Sequence, residues 1–316
     1  MDGAADLVEK FGYLSIGVND LDEAIEFYSR FVRLDVTERR GRTAFMTGGP
    51  EHHWLRLEEG GQPGVRRIAY ELAADGAFDT VRQRLSSRGV AYEEGGDSDS
   101  ERVEHWLRFT DPGGTNIELF RNMSERGVAP DSPVDLELLL HAGWRTTNFA
   151  ETSRFYQDVL GFRASDWIED TVGFFRVRNK YHHSAAMLGA ENSAFDHLCI
   201  QVASLDDLMR LRSNALRAGI KFRNDLLRHA PSGSISIYLH DEARGYAVEY
   251  CVGHPKVEDA THRPRRLGLA PDTVDIWSAP LPEPAGYAAR GPLSPPPEDR
   301  THSLVDSLRK ERSDVV

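Results

Sequence analysis

Two histidines and one glutamate in the second half of the chain have side chains suited to metal chemistry: His141, His197 and Glu249. Two neutral imidazoles and one carboxylate can bind a divalent iron on one side and leave the opposite side open. No short motif joins these residues, because they lie 56 and 52 positions apart along the chain. Only the fold can bring them together, so their meaning depends on the elements that carry them.

An internal repeat relates the two halves of the chain. In each half the tyrosine of a Phe-Tyr pair lies fifteen positions after the opening residue, which is Tyr13 in the first half and His141 in the second. The matching segments are 13–28 with 141–156, 65–70 with 195–200, and 115–120 with 246–251. The offset grows only from 128 to 131, so few insertions separate the halves.

Each half divides again into two modules. A short strand is predicted to open near each of four residues, which are Tyr13, Arg67, His141 and His197. A helical pattern and then short β-rich runs follow each strand, and residues 234–238 alternate with the period of a strand. The sequence therefore predicts an α+β fold of four β-α-β-β-β modules, two in each half.

Residues that favour helix ends occur where this scheme needs them. Asn19 or Asp20 is predicted to cap the first helix, and Ser204 to cap the fourth. Gly89 and Gly219 lie where the second and fourth helices should stop.

Three regions follow from the repeat. Residues 8–125 are predicted to form an N-terminal structural domain without a metal, and residues 134–255 a C-terminal catalytic domain that binds one. Residues 256–316 form a C-terminal extension. Its first part, to residue 285, is predicted to be irregular, and residues 286–316, which are rich in Pro, Arg, Asp, Glu and Ser, to be disordered or a loosely docked helix.

Four such modules with histidines in the opening strands of one half resemble the vicinal oxygen chelate superfamily. Within it, residues 10–255 resemble the two-domain extradiol catechol dioxygenases. The resemblance implies that His141, His197 and Glu249 bind Fe(II), with Mn(II) as the alternative that uses the same ligands. It also implies a catechol and O₂ as substrates, and cleavage beside the hydroxyls to a muconic semialdehyde type of product.

The same resemblance assigns further residues to the active site. Its catalytic histidine corresponds to the pair His182-His183, of which His183 is preferred as the acid-base residue. His229 and Tyr238 correspond to groups that hydrogen-bond the substrate. The pair His52-His53 in the other half is matched to His182-His183.

The family's signature after Tyr238 is altered in this chain. Glu242 replaces the usual proline, and one residue is inserted before Gly245, whereas the first half keeps Asp-Pro-Gly-Gly at residues 111–114. The change affects the turn and leaves Glu249 in the sequence.

The slots of the first half differ in chemistry. Tyr13, Arg67 and Glu118 stand where the second half has its two histidines and glutamate. An arginine in a cation site disfavours a metal, so the first half is expected to be structural.

Three other functions are compatible with the scaffold. A 4-hydroxyphenylpyruvate dioxygenase-like enzyme uses the same ligands with a keto acid, but His183, His229 and Tyr238 argue against it. A glyoxalase-type isomerase usually needs four protein ligands. A non-enzymatic small-molecule-binding protein should purify without stoichiometric metal.

Composition excludes some partners. The net charge of −12 argues against nucleic acid, because phosphate binding needs clustered Lys and Arg. No apolar stretch approaches the ~20 residues of a membrane span, and residues 1–6 lack the features of a signal peptide. A cytoplasmic location is expected, and the family resemblance implies a homo-oligomer.

Overall fold

Two large mixed β-sheets, one from each half of the chain, dominate the computed structural model, which describes residues 6–97, 101–128, 130, 132–258 and 261–278. The strands of the first half are β1 Val8–Val18, β2 Asp35–Arg40, β3 Thr43–Thr47, β4 Leu55–Glu59, β5 Gly64–Leu72, β6 Tyr92–Asp97, β7 Val103–Thr110 and β8 Asn116–Met123. They form one sheet in the order β2-β3-β4-β1-β5-β8-β7-β6. Helix α1, Leu21–Phe27, continues into a π-helical turn at Tyr28–Val32, and α2 is Ala77–Ser87.

The second half repeats this arrangement. Its strands are β9 Leu136–Thr146, β10 Arg163–Ile168, β11 Val172–Arg176, β12 Ala185–Gly189, β13 Ala194–Val202, β14 Phe222–Arg228, β15 Ile235–Asp241, β16 Tyr246–Val252 and β17 Arg265–Leu267. Their order in the sheet is β14-β15-β16-β13-β9-β12-β11-β10-β17. Helices α3, Phe149–Leu160, and α4, Leu205–Arg217, follow β9 and β13. The predicted α+β fold of four β-α-β-β-β modules is confirmed.

The strands that open the modules are longer than predicted. They begin three to five residues before Tyr13, Arg67, His141 and His197, so these residues lie inside strands and not at their openings. The first residues of β1 include charged ones such as Lys10, which is half-buried because it pairs with glutamates. The start of this strand therefore lacks the apolar pattern by which a strand is predicted.

Helix ends follow the predicted chemistry. The Asp20 carboxylate accepts a hydrogen bond from the Glu23 backbone N–H at 3.0 Å, so Asp20 and not Asn19 caps α1. The Ser204 hydroxyl accepts from the Asp207 N–H at 3.1 Å and caps α4. The glycines predicted at helix stops follow α2 and α4 with positive φ.

The two halves share one apolar core, to which both sheets and the helices contribute. Polar contacts also join them: the Tyr28 hydroxyl donates to Asp241 at 2.8 Å, and the Tyr156 hydroxyl donates to Asp111 at 3.1 Å. The division into separate structural and catalytic domains stays a prediction.

Residues 261–278, here called the cover segment, are more regular than predicted. They contain β17, a one-turn helix α5 at Pro271–Val274, and a 3₁₀ turn at Ile276–Ser278. The short strand forms because β17 pairs in parallel with β10, with Arg265 opposite Asp166. The disorder predicted for 286–316 lies outside the described residues. None of the described helices combines the length and hydrophobicity that a bilayer-spanning segment requires.

Candidate metal centre

Three neighbouring strands of the second sheet carry His141, His197 and Glu249. Strand β13 lies between β9 and β16, and Cys199 on β13 is opposite both His141 on β9 and Glu249 on β16. His197 lies two residues before Cys199 and therefore projects from the same face of the sheet. The register of three strands thus brings together residues that are far apart in the chain.

The ligand atoms of these side chains meet at one point. His141 Nε2 is 3.1 Å from His197 Nε2 and 3.1 Å from Glu249 Oε2, and the last two atoms are 3.4 Å apart. Ligands bound at ~2.1 Å and at right angles around one ion would lie about 3 Å apart. Glu249 Oε2 is buried and accepts no hydrogen bond from any described residue. A cation would satisfy this oxygen, so the donor set fits a divalent metal.

Burial and charge keep the three groups in the protonation states that a ligand needs. Burial lowers the pKa of His141 to about 4, although the nearby Glu249 carboxylate opposes the shift. Burial raises the pKa of Glu249, but the nearby imidazoles of His141, His229 and His197 outweigh this effect and hold the pKa well below its usual range. At neutral pH His141 is therefore neutral and Glu249 is ionised.

A carboxylate that sequence reasoning missed orients His197. Asp196 Oδ2 lies 2.7 Å from His197 Nδ1, and Arg223 Nη2 lies 3.0 Å from the same oxygen. Because an ionised carboxylate only accepts, His197 carries its hydrogen on Nδ1 and presents the lone pair of Nε2 to the centre. Burial raises the pKa of Asp196, but His197 and Arg223 lower it to far below its usual value. An aspartate directly before a candidate histidine was the available signal.

A glycine makes room for the His197 ring. Gly143 on β9 is opposite His197 in the register, and a Cβ atom there would lie 2.6 Å from His197 Nδ1 and 2.7 Å from Nε2. Such distances are shorter than any normal contact, so a side chain at position 143 would displace the imidazole.

The two adjacent histidines of the second half point in different directions. The His183 ring lies 4.1 Å from the His141 ring and lines the cavity beside the centre. His182 Nε2 is instead 2.9 Å from Asp166 Oδ2, away from the cavity lining. Burial and the neighbouring imidazoles hold the pKa of His183 well below its usual value. This placement favours His183 as the active-site histidine.

Tyr238 and His229 form a hydrogen-bonded pair next to the centre. Tyr238 is opposite Glu249 in the β15–β16 ladder, and its hydroxyl lies 2.8 Å from His229 Nε2. His229 Nδ1 lies 2.9 Å from the Val274 carbonyl, which only accepts, so Nδ1 carries the hydrogen and Nε2 accepts from Tyr238. Burial and the Glu249 charge raise the pKa of Tyr238 well above its usual value, so the phenol stays protonated.

His254, which sequence reasoning did not single out, is a further buried histidine at the centre. Its ring lies 4.6 Å from that of His183 and 5.8 Å from that of His141, and its Nε2 accepts the His183 backbone N–H at 3.4 Å. One nitrogen from each of these three histidines lies within 4.8 Å of the others. In the sequence, the feature that could have pointed to His254 was its position five residues after Glu249.

A cavity of about 300 Å³ opens beside the centre. The cover segment closes part of it through Leu269, Thr273 and Val274. The other apolar lining residues are Ile168, Val172, Phe174, Ala186, Leu188, Leu227 and Pro231. Arg223 is the sole lysine or arginine of the described lining, and Asp196 already pairs with it.

The altered turn before Glu249 is absorbed locally. Strands β15 and β16 pair up to Asp241 and Tyr246, and Gly245, at φ +76°, donates its N–H to the Asp241 carbonyl at 2.8 Å. The inserted residue lengthens the loop and leaves Glu249 opposite Tyr238.

The matching slots of the first half are filled by ion pairs. Glu118 is fully buried, receives a hydrogen bond from the Tyr13 hydroxyl, and pairs with Arg67 at 3.1 Å and with Arg108 at 2.6 Å. The guanidinium groups supply the positive charge that a metal would bring in the other half.

Repeated β-α-β-β-β modules with a His-His-Glu centre in one half define a metal-binding protein of the glyoxalase-like kind. Residues 10–119 and 138–250 match the model of the Glyoxalase/Bleomycin resistance protein/Dioxygenase superfamily. The chain belongs to this superfamily.

Similar proteins of known sequence or structure cover most of the chain. An iron-dependent extradiol dioxygenase from Rhodococcus jostii is 30% identical over 85% of this chain and 96% of its own length. A manganese-dependent 2,3-dihydroxybiphenyl 1,2-dioxygenase from Geobacillus genomosp. 3 is 23% identical over 88% and 96%. The solved structure of homoprotocatechuate 2,3-dioxygenase from Arthrobacter globiformis has the same fold, with a TM-score of 0.80, 22% identity and coverage of 88% and 90%.

Proposed function

We propose that this protein is an extradiol dioxygenase, which inserts O₂ into a substituted catechol beside its two hydroxyls. The observation that carries the proposal is the meeting of two imidazole nitrogens and one carboxylate oxygen within 3.1–3.4 Å beside a cavity. The relatives named as iron- and manganese-dependent catechol dioxygenases support it.

His141, His197 and Glu249 would hold Fe(II), or Mn(II), as the resident metal. When bound, this metal offers adjacent positions to a catecholate and O₂ and lowers the pKa of a bound hydroxyl. Asp196 contributes by fixing the His197 tautomer at 2.7 Å.

The remaining polar groups would manage substrate protons and orientation. His183, which is neutral and beside His141, is the proposed acid-base residue. The Tyr238 hydroxyl donates to His229, so its oxygen can accept a hydrogen bond from a substrate hydroxyl. Leu269 and Val274 of the cover segment line one side of this cavity.

The cavity lining favours a neutral catechol with an apolar substituent. The walls are largely aliphatic, and the Arg223 guanidinium is paired with Asp196 at 3.0 Å. A carboxylate on the substrate would therefore be desolvated without a free cation to meet it. We expect aryl- or alkyl-substituted catechols to have a higher kcat/KM than catechols with an acidic side chain.

The first half is proposed to be structural, because an ion-pair cluster around Glu118 fills the slots that would otherwise bind metal. A cytoplasmic location and a homo-oligomeric state stay predictions that follow from the sequence.

The test is anaerobic purification with Fe(II), followed by a screen of substituted catechols for O₂ uptake and a yellow ring-opened product. We expect one O₂ consumed per catechol, with no requirement for a keto acid. Glu249→Gln should lose metal and activity. Glu118→Gln, the matched change in the first half, should keep the metal if it folds.

The screen also separates the alternatives. O₂ uptake that requires a keto acid would indicate 4-hydroxyphenylpyruvate dioxygenase-like chemistry. A protein that retains no iron or manganese would be a binding module on the same scaffold. Either result would contradict the proposed function.

A further inference from the structure

A chain of four polar side chains runs from the cover segment to the histidine beside the centre. Arg265 Nε lies 3.0 Å from Asp166 Oδ1, and its Nη2 bonds the other carboxylate oxygen. His182 Nε2 is 2.9 Å from Asp166 Oδ2, and His182 Nδ1 is 3.0 Å from His183 Nδ1. Asp166, His182 and His183 are all buried. The chain therefore connects the cover segment to a ring that packs on His141.

The donors and acceptors along this chain can be assigned from its ends. Burial raises the pKa of Asp166, but hydrogen bonds from His182 and Arg265 bring it down to about 2, so the group is an ionised acceptor. His182 Nε2 must then carry a hydrogen. Arg265 already provides a positive charge beside Asp166, so we take His182 as a neutral imidazole, whose Nδ1 is then a lone pair. His183 Nδ1 must be the donor to it.

We propose that Asp166 and His182 are positioning residues for His183. They hold His183 as the Nδ1–H tautomer and leave the lone pair of its Nε2 for the cavity. Arg265 makes this state depend on the cover segment. The inference rests on the proposed function only for the use that His183 makes of Nε2. In that role Nε2 accepts a hydrogen bond from a substrate hydroxyl.

A similar arrangement in the first half raises the alternative that the pair is only a structural brace. There His52 Nδ1 lies 3.2 Å from His53 Nδ1, and His52 Nε2 lies 3.3 Å from Glu38 Oε2. The His53 ring packs against Tyr13 and Phe45 inside the sheet, with centroids 4.4 and 4.9 Å away. The hydrogen-bonded pair thus belongs to the module, and the halves differ in what the second histidine faces. This difference provides a matched control.

The first measurement is the position of the ring hydrogen on His183. The full-length chain, labelled with ¹⁵N-histidine and loaded with diamagnetic Zn(II), is examined by NMR, with His183→Gln used to assign the signals. We expect a hydrogen on Nδ1 and none on Nε2 in the wild type. In Arg265→Gln, Asp166 loses its balancing charge, so His182 should become cationic and donate from Nδ1, which moves the His183 hydrogen to Nε2.

The neighbouring residue supplies the control for this shift. Arg266 is exposed and pairs with Asp170 on the surface. Arg266→Gln should leave the His183 signals unchanged. A wild-type His183 with its hydrogen on Nε2, or no change in Arg265→Gln, would overturn the inference.

The second measurement is steady-state kinetics with Fe(II)-loaded protein and a catechol that the wild type cleaves. His182→Leu should lower kcat about 10- to 100-fold with little change in KM or iron content. His182→Asn, which keeps an acceptor near the position of Nδ1, should recover part of this loss. His52→Leu, in the first half, should leave kcat unchanged.

The two measurements distinguish failure of the inference from failure of the proposed function. If the wild type cleaves catechols and His182→Leu keeps its kcat within about twofold, the positioning role is wrong. If the wild type cleaves none, the dioxygenase assignment is wrong, and the NMR result alone decides the tautomer. Should His182→Leu fail to fold, the Arg265→Gln and Arg266→Gln pair provides the same decision.

Discussion

At the scale of single residues, the site depends on which nitrogen of each imidazole carries hydrogen. Asp196 fixes the tautomer of His197, and the Val274 carbonyl fixes that of His229. Both acceptors leave Nε2 without a hydrogen and facing the centre. The ligand residues could be predicted from the sequence through the family resemblance. Asp196 left a signal because it directly precedes His197, whereas the Val274 carbonyl left none because it lies 45 residues from His229.

Removing the acceptor of the His197 hydrogen should weaken metal binding. In Asp196→Asn the amide can donate as well as accept, so the tautomer of His197 is no longer fixed. We expect the Kd for Fe(II) or Zn(II) to rise about 10- to 100-fold. Asp158→Asn, at an exposed aspartate on α3 that pairs with Arg88, serves as the control in the same competition titration and should leave the Kd unchanged. Equal Kd values for wild type and Asp196→Asn would contradict this role.

Tyr238 should matter for turnover more than for the metal. Tyr238→Phe removes the hydroxyl bonded to His229 and leaves the ring, so iron content should be unchanged while kcat/KM falls about tenfold or more. The control is Tyr250→Phe, because Tyr250 follows Glu249 on β16 and projects from the opposite face of the sheet. This change removes a hydroxyl bonded to the Val32 carbonyl and should lower thermal stability but not kcat/KM. The prediction fails if both variants retain wild-type kinetics.

At the scale of elements, the register of β9, β13 and β16 creates the centre. One step of slippage in any of these strands would turn its ligand to the opposite face. The sequence predicted the order of elements because the repeat and the helix caps mark it. It did not predict where the opening strands begin or the structure of the cover segment, because charged residues start β1 and β17 forms through a pairing with β10.

The close approach of β9 to the His197 ring gives an element-scale test. Gly143→Ala adds a Cβ that overlaps this ring, so His197 must move away from Glu249. We expect at least about a tenfold loss of metal affinity and roughly 1–3 kcal/mol of lost stability from overpacking. Gly76→Ala, where a Cβ would meet nothing within 4 Å, is the control for both readouts. Unchanged metal affinity in Gly143→Ala would show that the ring has more room than the structure gives it.

At the scale of the whole molecule, duplication produced two similar halves that now hold positive charge differently. In the first half arginines meet the buried glutamate, and in the second half two imidazoles leave the glutamate oxygen unpaired. Sequence comparison of the halves revealed this contrast, because Arg67 stands in the slot of His197. It could not reveal how the cover segment closes part of the cavity, because residues 261–278 lie outside the repeat.

The buried histidines should make the metal-free protein sensitive to acid. The pKa of His141 is about 4 in the folded protein and 6.5 as its ordinary value, so the unfolded chain binds more protons between these pH values. The free energy of unfolding should therefore fall as pH drops from 6.5 to 4, by roughly 3 kcal/mol for His141 alone (6.5 − 4 = 2.5 pH units). His183 and His254, whose pKa values are also lowered, act in the same direction.

Urea unfolding of the metal-free protein at several pH values measures this effect. His141→Gln removes one of these buried imidazoles, so the pH dependence of its free energy of unfolding should be shallower than that of the wild type. A wild-type stability that stays constant between pH 6.5 and 4.5 would contradict the burial of neutral histidines.

Manganese titration followed by electron paramagnetic resonance tests the central claim most directly. The full-length chain should bind one Mn(II), and pulsed spectra should show coupling of the ion to two histidine nitrogens. In His141→Gln only one of these two couplings should remain. Two ions per chain, or a bound ion without nitrogen coupling, would contradict a single centre formed by His141, His197 and Glu249.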